Sequence, residues 1–165
     1  MKLFFSIILI LSFAGIFLFL FFSTFETQFT SDRVYYGNIN NAPLRINIAD
    51  TPDLRYKGLS DTQLLPEHHG LLFVFPENGK YGITMRDMNY PIDILWFDER
   101  LRVVHKEERV APDTYPRAFF PKANARYILE TNAGFIEENG IREGARLSLV
   151  GYNPVLFRLS ELFTF

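Results

Sequence analysis

The spacing of apolar positions changes sharply along this chain. From Leu3 to Phe22 no residue is charged, and only Ser6, Ser12 and Gly15 interrupt the apolar side chains. Beyond Asn41 the period becomes that of strands. Leu44, Ile46 and Ile48 alternate with Arg45 and Asn47, which predicts a strand with one face inward. Leu71-Leu72-Phe73-Val74-Phe75 is too short for a helix and is bounded by Gly70 and Pro76, so it reads as a strand buried on both faces. Pro76-Glu77-Asn78-Gly79 carries the chemistry of a tight hairpin, which predicts a partner strand from about Tyr81 to Asp87. After a connection through Met88-Asn89-Tyr90-Pro91, Ile92–Phe97 forms a further strand. Leu101–Val110 alternates again, with Leu101, Val103 and His105 opposed to Arg102, Val104 and Lys106. Arg126–Thr131 and Ala145–Val150 are further strands, and Val34-Tyr35-Tyr36 is available as an edge strand.

Helical signals are brief. Thr51 can cap, Pro52 suits the first helical position, Asp53 meets the positive end of the dipole, and Gly58 ends the turn. Leu54 and Tyr56 are its packing residues. Leu59–His69 is an irregular crossing pinned by Leu64 and Leu65, and Ala111–Asn124 is a Pro- and aromatic-rich loop lying over the domain. Gly134–Asn139 is one helical turn closed by Gly140, and Asn153-Pro154 opens a short apolar terminal helix. Short strands with few long connections imply a mainly β domain with a minor α component, a small open barrel or sandwich. The crossover helices of a doubly wound α/β fold are absent. The organisation expected is an anchor over residues 1–24, a linker over 25–42, a β domain over 43–151 and an apolar tail over 152–165.

As a helix rising about 1.5 Å per residue, the first apolar run spans roughly 30 Å, the thickness of a bilayer core. It predicts an uncleaved signal anchor; the alternative is a signal peptide whose removal secretes the domain, but Ser23–Thr27 offers no small-x-small cleavage site. Lys2 precedes the run while Glu26 and Asp32 follow it, so the N-terminus is expected in the cytoplasm and the domain outside, periplasmic or extracellular. The chain has no cysteine, which excludes a lipoprotein anchor. A net charge of −2 gives no electrostatic footprint for nucleic acid. The partners expected are therefore the membrane and a small polar ligand or envelope protein.

The segments Arg55-Tyr56-Lys57-Gly58-Leu59-Ser60, Leu65-Pro66-Glu67, Gly70–Phe75, Met85-Arg86-Asp87 and Pro91–Ile94 occur in an order and spacing that resembles the DUF192 (UPF0127) family. The resemblance continues through Arg126–Glu130, Ala133-Gly134 and Gly140–Gly144, covering about Leu44 to Val150. It implies a mainly β fold and no particular activity. The family usually places Gly where Leu101 stands, so a two-residue hairpin is not expected there; a longer or bulged loop is. A family acidic residue is replaced by Ala145.

Candidate chemistry centres on Asp93. It shares a strand face with Leu95 and Phe97, and a carboxylate on an apolar face needs a partner. Arg86 is the expected partner, with Arg55 and Arg126 behind it, either as an internal ion pair or as a polar cluster binding a small ligand. Glu130 shares a face with Arg126 and Ile128, and convergence with Asp93 would give a general acid and base for a saccharide or similar envelope metabolite. Met85 belongs to the candidate set, though core filling suits it better. His68, His69 and His105 lack metal-site spacing, and no phosphate loop or nucleophile elbow is present, so neither metal nor cofactor is expected.

Overall fold

The computed structural model describes residues 34–150. The expected anchor over Leu3–Phe22 and the expected terminal helix after Asn153 lie outside the described residues. Among the described residues no helix is long and apolar enough to cross a membrane.

The strands are β1 (Val34–Ile39), β2 (Ala42–Ala49), β3 (His69–Gly79), β4 (Ile83–Thr84), β5 (Ile92–Phe97), β6 (Val103–Val110), β7 (Ala118–Phe119), β8 (Ala125–Asn132) and β9 (Leu147–Val150). Two short helices, α1 (Pro52–Lys57) and α2 (Phe135–Glu138), and a 3₁₀ turn (Pro112–Thr114) complete the described elements. Seven strands form one sheet in the order β6-β5-β8-β3-β2-β1-β9, and β4 pairs with β7 apart from it. All neighbours in the large sheet are antiparallel except β2 and β3.

This sheet curls into a half-barrel whose outer strands meet at one end. There the N–H groups of Val103 and Leu147 donate to the carbonyls of Ala145 and Leu101, both at 2.9 Å, and Gly144 N–H donates to Val103 O at 2.8 Å. The concave face holds the core: Leu44, Ile46 and Ile48 of β2, Leu72 and Val74 of β3, Leu95 and Phe97 of β5, Tyr127 and Leu129 of β8, and Leu147. The period-two positions of β2 therefore point inward as their alternation predicts.

Several local expectations give way to longer-range pairing. Pro76–Gly79 makes no hairpin: β3 runs through it, bulges, and pairs Gly79 with Ala125 of β8. Neither Asn78 nor Gly79 takes the positive φ that the turn would use. The expected strand from Tyr81 to Asp87 shrinks to β4, whose partner is β7 rather than β3. Strand β1 sits between β2 and β9, not at an edge, and it occupies part of the stretch read as linker. Tyr56 is exposed rather than packed. At the β5–β6 corner Leu101 adopts a φ of 60°, the conformation that suits the glycine of the resembled family. A register shift follows, pairing Trp96 with His105 but Phe97 with Val103. The extra residue puts Val103 and His105 on opposite faces, against the simple alternation.

The single parallel pair positions the site. A parallel connection must cross over the sheet, and here it carries α1 and residues 58–68 across the convex face. Thr51 Oγ1 accepts from Leu54 N–H at 3.2 Å, Pro52 occupies the first turn, and Gly58 N–H closes it on Leu54 O at 2.9 Å. The connection between β4 and β5 is stitched to this crossover. Ser60 Oγ donates to Arg86 O at 2.9 Å, Asn89 Nδ2 to Thr62 O at 2.9 Å and Asp61 N–H to Asp87 O at 2.8 Å. Asn132 Nδ2 on β8 donates to Leu65 O and Pro66 O, both at 3.0 Å, and ties the crossover to the sheet.

Candidate functional site

The two carboxyls singled out from the sequence face opposite sides of the sheet. Asp93 lies opposite Thr131 and Glu130 opposite Ile94 in the β5–β8 register. Successive side chains on a strand alternate faces, so Asp93 points into the concave core and Glu130 toward the convex face. They do not converge, and a general acid–base pair between them is excluded by the pairing.

Asp93 is fully buried and its partners are backbone amides, not Arg86. Oδ1 accepts from Arg109 N–H at 2.7 Å, while Oδ2 accepts from Gly134 N–H at 3.1 Å and Ile136 N–H at 2.8 Å. Each amide is made available by local geometry. The β5–β6 register slips between Ile92 and Ile94, and Arg109 takes a φ of 51°, which turns its N–H out of the ladder. Gly134, at φ 97°, precedes α2 and has no side chain to cap it. Asp93 caps that turn from a distant strand, and the anion also complements the free N–H groups at the start of the turn.

Arg86 lies on the other side of the sheet. Its Nη2 donates to Tyr56 O at 2.7 Å and its guanidinium stacks 4.0 Å from the Tyr56 ring centroid. Its Nε is 3.3 Å from Asp87 Oδ2, yet the atom is buried and makes no hydrogen bond. The ion pair expected between Asp93 and Arg86 is thus replaced by two separate arrangements.

Arg86 and Glu130 nevertheless share a cleft. It has a volume of about 200 Å³ and lies under α1 and the β4–β5 connection, with Arg55, Lys57, Ser60, Phe73, Met88 and the two named residues on its walls. Glu130 is 4% exposed. Burial raises its carboxyl to a pKa of about 8, so at neutral pH it is largely the uncharged acid. Its Oε2 has no hydrogen-bond partner. Nearby, Tyr90 donates to Thr62 Oγ1 at 2.6 Å while Thr62 donates to Leu59 O at 2.6 Å. Burial raises the pKa of that phenol, the Thr62 bond opposes the rise, and the Glu130 charge adds to it. Arg55 is partly committed: Nη1 donates to Asp50 O and to Val74 O, the latter at 2.7 Å.

Of the six candidates from sequence, the cleft therefore gathers Arg55, Arg86 and Glu130. Asp93 belongs to the core, Met85 is buried outside the cleft wall, and Arg126 is buried further along the Glu130 face without lining the cleft. Tyr90, Thr62 and Ser60 carry no local sequence signal, because their contact depends on how the crossover lies on the sheet. A second depression of about 350 Å³ opens where the sheet edges meet, lined by Arg100, Tyr127, Arg146 and Leu149 among others. Four buried side-chain polar atoms lack a hydrogen-bond partner among the described residues: Arg86 Nε, His105 Nδ1, Glu130 Oε2 and Thr131 Oγ1. None lies in that second depression, and two line the Glu130 cleft.

A family model described as "Uncharacterized ACR", DUF192, matches residues 36–149. A UPF0127 protein of Thermococcus gammatolerans is 31% identical over 121 residues, covering 72% of this chain and 71% of the relative. One from Thermococcus kodakarensis is 32% identical over 112 residues, covering 67% and 66%. Two solved structures share the fold. A Sinorhizobium meliloti protein, described only provisionally as a transcription regulator, has a TM-score of 0.69 at 24% identity and covers 74% of this chain and 98% of its own. A Novosphingobium aromaticivorans protein of unknown function has a TM-score of 0.64 at 22% identity, covering 70% and 82%. At such identities the likeness concerns the fold alone.

Proposed function

The chain belongs to the DUF192 (UPF0127) family, and on that premise we propose that it is a binding domain, tethered to a membrane and exported, which takes a small polar ligand in the Glu130 cleft. One observation carries this reading: a carboxyl oxygen is buried in an open cleft without a partner. Buried polar atoms are nearly always paired, and an unpaired one costs about 1–3 kcal/mol. A group held at that cost on a cleft wall is available to hydrogen-bond a small molecule that enters. Arg86 supports the reading as a cation on the same wall, whose buried Nε is ion-paired with Asp87 but makes no hydrogen bond. The tether rests on the apolar run from Leu3 to Phe22 and the export on Lys2 before it.

The test uses the full-length chain in mild detergent, melted with and without a panel of amino acids, hydroxy acids, monosaccharides and phosphate. Glu130→Met is expected to melt at or above the wild-type temperature, since an unpaired buried acid gives way to an apolar side chain of similar size. It is also expected to lose the ligand-induced rise that a panel member produces in the wild type. A panel that leaves the wild type unmoved would sink the reading. So would a variant that is strongly destabilised yet keeps the ligand response, since Glu130 would then be structural.

A further inference from the structure

Resting on that assignment of the cleft, the chemistry of its walls narrows the ligand. Three cationic side chains, Arg55, Lys57 and Arg86, line it with one acid, Glu130; a second acid, Asp87, pairs with Arg86 Nε at 3.3 Å and offsets one of the three charges. Glu130 is largely uncharged at neutral pH, its carboxyl raised to about 8 by burial, so the cleft presents net positive charge. The groups facing Glu130 from neighbouring elements do not alter this. Its cross-strand partners are Leu71 on β3 and Ile94 on β5, both apolar. Arg55 and Lys57 line the same cleft from α1, and Arg86, with its ion-pair partner Asp87, lies on the β4–β5 connection, so three cations outnumber the one ionised acid. Tyr90 faces it from that same connection and is a neutral phenol well above neutral pH. Arg126, on its own strand, adds a further cation on the same face. The cleft volume of about 200 Å³ is below the usual range of drug-sized pockets, roughly 300 Å³ upward, which limits the occupant to a small molecule.

We propose that the occupant is a small organic carboxylate, held by the Arg86 guanidinium and oriented by a hydrogen bond from the Glu130 carboxyl to an acceptor at the buried end of the ligand. The Glu130 carboxyl, whose Oε2 has no hydrogen-bond partner, is thereby satisfied. A cationic ligand would meet three positive side chains and would require Glu130 to ionise in a buried setting. A neutral polyol would leave the excess positive charge of the wall uncompensated.

The protein carries its own reporters. Its three methionines are Met1, Met85 and Met88; Met88 lines the cleft and Met85 is buried nearby, three residues before it in the connection. Full-length protein labelled with ¹³C at the methionine methyls, in mild detergent, is titrated with lactate and succinate. Inorganic phosphate, glycerol and methylammonium are titrated in parallel. Lactate or succinate is expected to shift the Met88 methyl saturably at pH 6.5, and the apparent Kd should rise about tenfold per pH unit above the Glu130 pKa. Glu130→Gln, whose amide remains a donor at every pH, should keep binding and lose that pH dependence. Arg86→Gln should weaken binding about tenfold or more at all pH values. Saturable binding of glycerol, methylammonium or phosphate with none of the carboxylates would overturn the ligand class while leaving the cleft a binding site. Carboxylate binding with an unchanged pH profile in Glu130→Gln would overturn the role of Glu130. No saturable shift with any probe would remove both this proposal and the binding function beneath it.

Discussion

Replacing Asp93 by Asn isolates the capping role of a buried anion. The two oxygens of Asp93 accept three backbone N–H groups at 2.7, 3.1 and 2.8 Å with the side chain fully buried. Asparagine has nearly the same shape but only one acceptor oxygen. If that oxygen serves Gly134 and Ile136, the amide nitrogen points a hydrogen at Arg109 N–H, donor against donor. One charge-assisted bond is lost, one buried N–H is left without an acceptor, and two bonds lose their ionic component. Charge-assisted bonds contribute about 1.5–3 kcal/mol each and an orphaned donor costs about 1–3 kcal/mol, so a loss of about 3 kcal/mol is expected. For a domain of this size that lowers the melting temperature by about 10 °C. Trp96, the one tryptophan, is fully buried and donates Nε1 to Tyr81 O at 3.0 Å, so its fluorescence reports the transition. Amide exchange should rise at Arg109, Gly134 and Ile136 and not elsewhere in the sheet. Arg86→Gln should leave those three amides protected, and the double variant should be additive within about 0.5 kcal/mol. An Asp93→Asn protein melting within about 2 °C of the wild type, with unchanged exchange, would refute the capping argument.

Glu130 should make stability fall as pH rises. Its carboxyl is raised from 4.5 to about 8 in the folded state; the folded protein then holds a proton that the unfolded chain releases. The stabilisation is complete below 4.5, declines by up to about 1.4 kcal/mol per pH unit above it, and is gone once pH passes the folded pKa. Urea midpoints should decline over this window in the wild type and stay flatter in Glu130→Gln; parallel profiles would contradict the assignment. Gly58 combines φ 52° and ψ −133° with a tight setting, where a Cβ would lie only 3.2 Å from the Phe73 ring. Gly58→Ala should therefore cost about 1–3 kcal/mol in a urea titration, and a neutral outcome would show that the turn relaxes freely. A reporter enzyme fused after Phe165 should be active only outside the cytoplasm; cytoplasmic activity would reverse the orientation read from Lys2.

Local signals were legible where a few consecutive residues decide the outcome. Thr51, Pro52 and Gly58 specify α1, the alternation of Leu44, Ile46 and Ile48 specifies which face of β2 is buried, and Gly134 with Gly140 brackets α2. The same logic misled at Pro76–Gly79, where good turn residues are overridden by continued pairing of β3 with β8. It misled again at Val103 and His105, where one bulge residue reverses the parity. Bulges and pairing partners depend on residues far along the chain, and nothing within a window of ten residues records them.

The two acids show most clearly where such reading stops. Parity within β5 correctly puts Asp93 with Leu95 and Phe97, and parity within β8 correctly puts Glu130 with Arg126 and Ile128. What parity within a strand leaves open is which face of one strand continues which face of the next. That is fixed by register, and here Asp93 lies opposite Thr131, so Glu130 is placed on the far side of the sheet. A one-residue slip would have brought both carboxyls to one face. The actual register gives each acid a separate fate. Asp93, enclosed by core and reached by three amides, becomes a fixed structural anion. Glu130, enclosed by strands but opening onto a cleft that the β2–β3 crossover roofs, keeps an oxygen without a partner. The candidate function follows from that asymmetry: a fold that satisfies one buried acid threefold and leaves the other unmatched has the means to satisfy both, and the unmatched one sits where a ligand can reach it.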